Sequence, residues 1–333
     1  MSKKNTYTIQ CLSVGDTGLD HFIRMDAPRT EESPTNPGNT DVCFELGAKI
    51  PVDTLFENIG GNAANVAAGM KKLGIRAELF TFLGDDTTAK SIKEGILGEQ
   101  LSDTFIFERP YEQSKTSFIM SFGKNRTILS YHADRTYEAY DLPEAEWVFL
   151  TSMGKGSEPI IEKVLHTVKS RNNPPLLAFN PGSYFLKHQM HLSKSILPYS
   201  DLVFVNKEEA QKILYTTEES IPKLVRKVMK EFHCHQIVLT DGTNGAYTHD
   251  EDNIYHVESL PFTPVEVTGA GDAFASGFMA ATIQGKSTED CLRYGAVNAA
   301  KTIQKIGSTQ GQCFQDEMEQ ILENTEIPVK VIT

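Results

Sequence analysis

The distribution of hydrophobic and polar residues along the chain predicts alternating strands and helices. Short apolar runs, typical of buried strands, are each followed by a longer segment with apolar residues at helical spacing. Because this order repeats, we expect a three-layer α/β/α fold with a largely parallel central sheet and helices on both faces. The strands are predicted at residues 7–14, 77–83, 104–108, 147–150, 176–180, 202–206, 236–240, 245–248 and 254–257, and the helices at 60–74, from about 87 to 97, 158–169, between 180 and 202, 207–231, and as three helices after Ala270.

A second pattern, the alternation of apolar and polar residues, is typical of strands with one solvated face. It occurs at residues 43–50, 53–59, 115–122 and 126–131, and we expect these strands to form a small sheet outside the main body. The last two are joined by a short turn and predict a hairpin. Residues 26–41 are polar and contain three prolines, so they are predicted to form a loop.

Composition and charge argue against several classes of function. The chain of 333 residues carries a formal net charge of −12, so it offers no basic surface for nucleic acid or an anionic membrane. No run of about 18 apolar residues could span a membrane, and the first residues are too polar for a signal peptide. The five cysteines are scattered without a Cys-x-x-Cys pair, which favours reduced thiols and a cytoplasmic location over disulfides or a zinc site.

The segment 265–285 carries the strongest chemical signal. A β-prone run ends at Thr268, and the residues Gly269–Gly271 lead directly into a helix. Backbone N–H groups at a helix N-terminus, together with the helix dipole, favour a bound anion. A carboxylate at the same place, Asp272, suits an anionic group that is being transferred, because the carboxylate can accept the proton of the attacking hydroxyl. Alternatively, Asp272 only complements the helix dipole.

Further polar residues follow the predicted strands, where ligands of α/β sheets normally bind. Asp16 and Asp20 come after the first strand, although each alone also fits a turn or a solvated loop. The helix that begins at Gly60 and Gly61 is rich in small residues. It either packs closely against the sheet or admits a ligand to its backbone, with Asn65 as a partner for hydroxyl groups. It is not a dinucleotide fingerprint, because no Gly-x-Gly-x-x-Gly follows a strand here.

Two later turns also carry candidate ligands. Asn206 and Glu209 share the first turn of a predicted helix, a spacing that suits Mg²⁺ held largely through water. The same two residues would equally form an N-cap with a capping-box acid. Thr240, Gly242 and Gly245 lie in the turn after the next strand, which either contacts nucleotide phosphates or forms a tight hairpin.

Taken together, these segments resemble the ribokinase-like (PfkB-type) carbohydrate and nucleoside kinases, in the order of that family, from Gly15 to about Gly311. The family's first signature, Gly-Gly-x-x-x-Asn at the start of a helix that ends in Leu-Gly, matches residues 60–74. Its second, Thr-Gly-Ala-Gly-Asp before a helix of aromatic and small residues, matches residues 268–277. The Asn-x-x-Glu and Thr-x-Gly-x-x-Gly patterns lie between them.

The resemblance implies an ATP-dependent transfer of a phosphoryl group to an alcohol. Asp272 would be the general base, and the N–H groups of Gly269, Ala270 and Gly271 would form the anion hole. The other implied roles are substrate binding by Asp16, Asp20, Gly61 and Asn65, Mg²⁺ binding by Asn206 and Glu209, and nucleotide binding by Thr240, Gly242, Gly245 and Thr268, with Asn298 near the adenine.

The resemblance also implies two domains. Residues 1–16, 59–109 and 137–333 would form a large domain, and residues 17–58 and 110–136 a β-sheet lid that excludes water on closing and mediates a homodimer. Many members hold a monovalent cation with an aspartate two residues before the threonine of the glycine turn. Glu266 stands at that position here, so activation by K⁺ is left open.

The substrate itself is not determined by the sequence. We expect an unphosphorylated sugar with a hydroxymethyl group, and the alternative is a nucleoside such as adenosine or inosine. A nucleoside would need a stacking pocket, for which Phe44, Phe118 and Phe122 are candidates, although they equally suit ordinary strand packing. A phosphorylated sugar would need cations, for which Lys115, Lys124, Arg126 and Arg135 are candidates.

Two alternative functions, from other classes of protein, are disfavoured. A catalytically silent binding protein on the same scaffold would not need the intact residues 269–272. A dehydrogenase would need a glycine fingerprint after the first strand, near residue 15, and this chain lacks it.

Overall fold

The structure, a computed structural model, describes residues 8–26, 28–34, 40–122, 125–170, 173–250 and 253–332. The start of the first predicted strand, part of the predicted loop 26–41 and Lys124 lie outside these residues. The strands are β1 (Ile9–Val14), β2 (Gly18–Arg24), β3 (Arg29–Glu32), β4 (Thr40–Cys43), β5 (Thr54–Gly60), β6 (Ala77–Gly84), β7 (Ile106–Arg109), β8 (Lys115–Phe122), β9 (Asn125–Tyr131), β10 (Ala145–Thr151), β11 (Leu176–Asn180), β12 (Leu202–Asn206), β13 (Gln236–Thr240), β14 (Ala246–His249), β15 (Ile254–Val257) and β16 (Val329–Ile332). The helices are α1 (Asn62–Lys72), α2 (Thr87–Gly98), α3 (Glu158–Ser170), α4 (Gly182–His188), α5 (Met190–Ile196), α6 (Lys207–Leu214), α7 (Ile221–Phe232), α8 (Ala270–Ile283), α9 (Thr288–Thr302) and α10 (Gln315–Asn324).

The main sheet confirms the predicted architecture. Its strand order is β16-β15-β14-β13-β12-β11-β10-β1-β6-β7. The seven strands from β13 to β7 run parallel, and β14, β15 and β16 add an antiparallel edge. Because Asn206 lies opposite Thr240 in the register of β12 and β13, the polar ends of these strands meet at one edge of the sheet.

Alternating side chains of the buried strands build a core on each face of this sheet. In β1, Leu12 packs in a cluster with α3, α5, α6 and α7, whereas the neighbouring Cys11 packs in a cluster with α1, α8 and α9. In β10, Val148 and Phe149 divide between the same two clusters. Since successive side chains of a strand point to opposite faces, helices cover both sides of the sheet.

A second sheet has the order β5-β2-β8-β9, and we call it the small sheet. Strand β2 is antiparallel to β5 and parallel to β8, while β8 and β9 form the predicted hairpin. This pairing places Asp20 of β2 between Asn58 and Ser117. The sheet contains three of the segments predicted from alternation, residues 53–59, 115–122 and 126–131.

Several local predictions are wrong. The predicted helix 207–231 is two helices, because Tyr215 adopts a left-handed φ of 49° and Pro222 starts a new helix at its first turn. The predicted loop 26–41 contains β3 and the start of β4, which pair as a two-stranded ribbon, and the strand predicted at 43–50 does not extend beyond Cys43. Strands β2 and β16 were not predicted.

Burial in the central sheet predicts unequal effects of two leucine substitutions. Leu12 is fully buried, so Leu12→Ala is expected to lower the free energy of unfolding by about 2–5 kcal/mol. Leu97 of α2 is 55% exposed, so Leu97→Ala should change it by about 0.5 kcal/mol or less. Urea denaturation followed by circular dichroism measures both, and equal losses in the two variants would contradict the assigned core.

Candidate active site

A pocket of about 210 Å³ opens at the carboxyl ends of β11, β12 and β13, where ligands of α/β sheets bind. Its floor is the turn before α8, and its walls come from the strand ends, α1 and the small sheet. The lining residues are Asn62, Arg126, Asn180, Phe204, Val205, Asn206, Glu209, Val238, Thr240, Val267, Gly269, Ala270, Gly271, Asp272 and Phe274.

The turn before α8 has the geometry of an anion site. Gly269 caps the helix with a left-handed φ of 84°, and a Cβ there would lie 2.7 Å from Ser308. Gly271 is exposed, with open space where a Cβ would stand. The N–H of Ala270 donates to Val267 O at 3.3 Å, a long bond with which an anion can compete. No backbone acceptor among the described residues takes the N–H of Gly269 or Gly271.

Asp272 lies on the first turn of α8, partly exposed on the pocket floor. The side-chain amide of Asn65 donates to its Oδ2 at 2.8 Å. Burial among protein atoms raises the pKa of Asp272 to about 6, the nearby charge of Asp20 acts in the same direction, and the Asn65 hydrogen bond and Lys115 oppose it. Among the described residues, no cation pairs with Asp272 within 4.0 Å. The carboxylate is therefore held in place without being neutralised.

Asp20 of the small sheet is the second acid of the site. It is 7% exposed, and burial raises its pKa against the opposing effects of Lys115 and of a hydrogen bond from Ser117. A Cβ on Gly60 would lie 2.2 Å from the Asp20 carboxyl, so only glycine allows this approach. Gly61 has a φ of 95°, and a Cβ there would lie 2.3 Å from Asp16 O. The two glycines therefore allow the start of α1 to lie against the Asp20 carboxyl and the Asp16 backbone.

Asp16 is committed to protein partners. Its carboxylate accepts hydrogen bonds from the Tyr137 hydroxyl and from the N–H of Gly154, both at 2.9 Å, and Arg135 lies 3.7 Å away. Both carboxylate oxygens are therefore bonded within the protein. The structure places Asp16 beside Gly61 as a support of the site, not at the pocket surface.

Asn206 and Glu209 form the capping box that was one of their two predicted roles. Asn206 Oδ1 accepts the Glu209 N–H at 2.8 Å, and Glu209 Oε2 accepts the Asn206 N–H at 3.0 Å. Both residues also line the pocket, and burial raises the pKa of Glu209 to about 6. An amide and a carboxylate fixed at the pocket wall fit a Mg²⁺ ion that keeps most of its water ligands.

The nucleotide-binding candidates divide into two groups. A largely apolar cavity of about 550 Å³ adjoins the first pocket, shares Thr240, Ala270 and Gly271 with it, and also includes Gly242 and Gly245. Thr268 lines neither space, because its N–H and hydroxyl donate to Glu266 Oε1.

Asn298 is fully buried behind the cavity wall. Its amide bonds to Ala273 O and Ser276 Oγ, and it accepts the N–H of Cys313. Its helix neighbours Ala296 and Ala299 line the cavity instead. Asn298 therefore supports α8 and does not face the space that would hold an adenine.

Two asparagines of the pocket were missed by sequence reasoning. Asn180 ends β11, its amide donates to Phe204 O, and it accepts a hydrogen bond from Asn62 at 3.1 Å. The signal for Asn180 was present, because it follows a predicted strand in the same way as Asn206. Asn62 lies inside the glycine signature.

The four candidate cations occupy different places. Arg126 lines the pocket. Lys115 lies near Asp20 and Asp272, close enough to lower the pKa of both. Arg135 is buried and donates to the carbonyl groups of Phe82 and Gln113, and Lys124 lies outside the described residues.

Comparisons with known proteins give a consistent family. The family profile described as pfkB family carbohydrate kinase matches residues 40–313. The nucleoside kinase of Methanocaldococcus jannaschii is 22% identical over 317 residues, which is 94% of this chain and 97% of that protein. The ribokinase of Haemophilus influenzae is 23% identical over 80% of this chain and 87% of that protein.

Solved structures show the same fold. The structure of Arabidopsis thaliana ribokinase complexed with ribose and ATP superposes with a TM-score of 0.77 at 18% identity, covering 95% of this chain and 99% of that one. The structure of Burkholderia thailandensis nucleoside kinase in complex with inosine gives a TM-score of 0.75 at 16% identity, covering 96% of this chain and all of that one, 100%. The fold is therefore ribokinase-like.

The hydrogen bond between Asn65 and Asp272 predicts a measurable pKa change. An amide that donates to a carboxylate favours the charged form, so Asn65→Ala should raise the pKa of Asp272 above its value of about 6. Carbon-13 NMR titration of aspartate carboxyl groups measures it, with Asp272→Asn to assign the signal. Asn62→Ala, on the same turn but bonded to Asn180, is the control and should leave that pKa unchanged. An unchanged or lower pKa in Asn65→Ala would contradict the described geometry.

Proposed function

The chain belongs to the pfkB family of carbohydrate kinases and is an ATP-dependent kinase, and from this we propose that Asp272 activates a hydroxyl group of a sugar for attack on the terminal phosphoryl group of ATP. One observation carries the proposal. Asp272 lies at the mouth of a helix, oriented by Asn65 and near Asp20, and within the described part of the chain no cation pairs with it and no backbone acceptor takes the N–H groups of Gly269 and Gly271. A base and an anion site thus share one pocket.

The proposed reaction is a direct displacement. The acceptor oxygen attacks the γ-phosphorus, the bond from that phosphorus to the bridging oxygen of ADP breaks, and the hydroxyl proton passes to Asp272. Such transfer depends mainly on positioning and charge neutralisation. The N–H groups of Gly269, Gly271 and, once displaced from Val267, Ala270 would supply donors. The dipole of α8 and the guanidinium of Arg126, which lines the same pocket, would add positive charge.

The same pocket offers sites for the nucleotide and its metal ion. The apolar cavity beside Gly242 and Gly245 suits an adenine, and Thr240, which lines both spaces, would contact the phosphate chain. Asn206 and Glu209 would hold Mg²⁺ through its water ligands. The metal ion would neutralise phosphate charge when bound.

The acceptor is proposed to bind between Asp20 and Asn65. The Asp20 carboxylate can accept hydrogen bonds from sugar hydroxyls, and Gly60 and Gly61 keep α1 close to it. Of the cations considered for a substrate phosphate, Arg135 is committed to backbone carbonyls and Arg126 lies toward the turn. Within the described part of the chain this leaves Lys115 without a second cation, which favours an unphosphorylated sugar.

A nucleoside is the second candidate, and an aromatic group near Asp20 favours it. The ring of His132 packs on Tyr184 at 4.5 Å between ring centroids, and Tyr184 packs on His188 at 4.8 Å. His132 connects to Asp20 through hydrogen bonds with Ser130 and Ser117. Burial, the largest cause, and Lys115 lower the pKa of His132 to about 4, so the ring is neutral and able to stack on a base.

The three phenylalanines named for stacking have other partners. Phe118 stacks on His21 with ring centroids 4.9 Å apart, and Phe44 lies 6.3 Å from Phe122. Phe118 therefore packs within the small sheet, and Phe44, which follows β4, packs on Phe122 of that sheet.

The small sheet would act as a lid over the acceptor, with residues 17–58 and 110–136 as the moving part. One of its faces exposes Phe118 and Leu129, which are direct partners across β8 and β9 and are 40% and 54% accessible. Exposed apolar strands of this kind need cover. We infer that a second copy of the chain supplies it in a homodimer.

ADP release measured with pentoses, hexoses, their phosphates and nucleosides tests the function and the choice of acceptor together. A sugar with a free hydroxymethyl group is expected to stimulate ADP release most. Preferred turnover of a nucleoside would establish the second candidate. Stimulation by none of these acceptors would leave a catalytically silent protein as the better interpretation.

Replacement of the proposed base provides the sharpest test of mechanism. Asp272→Asn should fold normally and lose about 10²–10⁴-fold in kcat, the usual effect of removing a positioned base. Asp103→Asn, which changes an exposed acid remote from the pocket, is the matched control and should keep wild-type turnover. Steady-state kinetics with the best acceptor measures both variants, and near-wild-type kcat in Asp272→Asn would exclude the base role.

The raised pKa values predict the pH dependence of the reaction. Asp272 accepts a proton only when ionised, so with a pKa of about 6 it is active above that pH and progressively protonated below it. Glu209, whose pKa is also about 6, loses its charge over the same range. We expect kcat/KM to be constant from about pH 7 to 8 and to fall at least about tenfold per pH unit well below 6. A flat profile from pH 5 to 8 would contradict this assignment.

A further inference from the structure

Glu266 is a buried carboxylate that the proposed chemistry does not use. It lies two residues before Thr268, at the start of the turn that forms the anion site, and is 7% exposed. Its Oε1 accepts the N–H of Thr268 at 3.0 Å and the Thr268 hydroxyl at 2.7 Å. These bonds hold the carboxylate against the turn.

The other oxygen of Glu266 reaches the small sheet. Glu266 Oε2 accepts the hydroxyl of Ser121 at 2.6 Å, and Arg126 Nε lies 4.0 Å from Oε1. Ser121 and Arg126 are direct partners in the register of β8 and β9. One side chain of the turn therefore contacts both strands of the hairpin, and Arg126 also lines the anion pocket.

These contacts bear on whether this chain holds a monovalent cation at the position where many members of the family do. A cation here would need free carboxylate and carbonyl oxygens. Both oxygens of Glu266 already accept hydrogen bonds, and the neighbouring carbonyl of Ile303 accepts the N–H groups of Val265 and Glu266, at 2.7 and 3.2 Å. The residues present therefore do not fit K⁺.

The charge of Glu266 is retained in this arrangement. Burial opposes ionisation, but the hydrogen bonds from Ser121 and Thr268 and the charge of Arg126 outweigh it and hold the pKa of Glu266 below its usual value. A glutamate is one methylene longer than the aspartate of cation-dependent relatives, which extends its reach toward the hairpin. An ionised, hydrogen-bonded carboxylate with a guanidinium nearby forms a stable polar link.

We propose that Glu266 is a positioning residue that ties the β8–β9 hairpin to the phosphate-binding turn, and that Ser121 and Arg126 take the place of a monovalent cation there. This link fixes the position of the small sheet relative to the anion site, and the reaction proceeds without K⁺. The inference rests on the proposed kinase function for its kinetic tests, but two of its readouts do not require turnover.

The first experiment replaces K⁺ by tetramethylammonium at constant ionic strength. The initial rate with the best acceptor and the calorimetric affinity for ADP are each expected to change by less than about twofold. The melting temperature of the free protein should be the same in both salts, since a bound cation would stabilise the folded state. Tenfold or greater stimulation by K⁺, or a K⁺-dependent rise in melting temperature, would overturn the proposal.

The second experiment breaks the link from both sides. Ser121→Ala removes one hydrogen bond and should lower kcat/KM for ATP about fivefold. Glu266→Gln, which keeps the length but loses the charge, should lower it more. In both variants, amide hydrogen exchange should become faster in residues 115–122 and 125–131. Because Glu266 contacts both the turn and the hairpin, we expect kcat to fall and the KM for ATP to rise in the same variants.

Thr127→Ala is the control, since this exposed residue lies next to Arg126 on the same strand. It should leave both kinetics and exchange unchanged. If Glu266→Gln does not fold, Ser121→Ala alone decides the result. If the hairpin amides of Ser121→Ala exchange at the wild-type rate, the proposed link between Glu266 and the hairpin is wrong. If no acceptor is turned over at all, the proposed function fails, while the exchange and melting measurements still test the link.

Discussion

The site depends on an ionisable carboxylate at the pocket floor that none of the cations in the described ranges of the chain pairs with. Burial and the charge of Asp20 raise the pKa of Asp272 to about 6, while Asn65 supplies one compensating hydrogen bond. A cation paired with Asp272 would have lowered its pKa and made the carboxylate a weaker base. Without the Asn65 donor, the pKa of the carboxylate would be higher still. One neutral amide donor gives a group that is ionised near pH 7 and still basic enough to take a proton.

The close packing of α1 against α8 makes this contact possible. A Cβ on Gly69 of α1 would lie 2.3 Å from Ser276 Oγ of α8, so the helices meet at a distance that only small residues allow. Gly277 makes a similar approach to Tyr294 of α9. The small residues of α1 therefore allow the close packing that brings Asn65 to Asp272.

Much of the fold and of the pocket lining could be predicted because their signals are local. Strand ends such as Asn206 and Thr240, and the turn before Asp272, carry their polar residues within a few positions of an apolar run. The failures have more than one cause. The break between α6 and α7 is local, at the left-handed Tyr215 and at Pro222, whereas β16 forms only because β15 offers it an edge. From the sequence alone, Asn298 is only a polar residue of a predicted helix, because its partners Ala273 and Cys313 lie 25 and 15 positions away.

The acceptor side resists prediction for a related physical reason. Asp20, Ser117 and His132 reach one another through three strands of the small sheet, and Tyr184 approaches from α4. No short stretch of sequence contains this arrangement, whereas one turn contains the whole anion site. Glu266 joins the two sides, because its contacts on the turn are local and its contact with Ser121 spans 145 positions. The residues of the glycine turn are therefore local in the sequence, whereas the contact that holds the small sheet against that turn joins residues far apart along the chain.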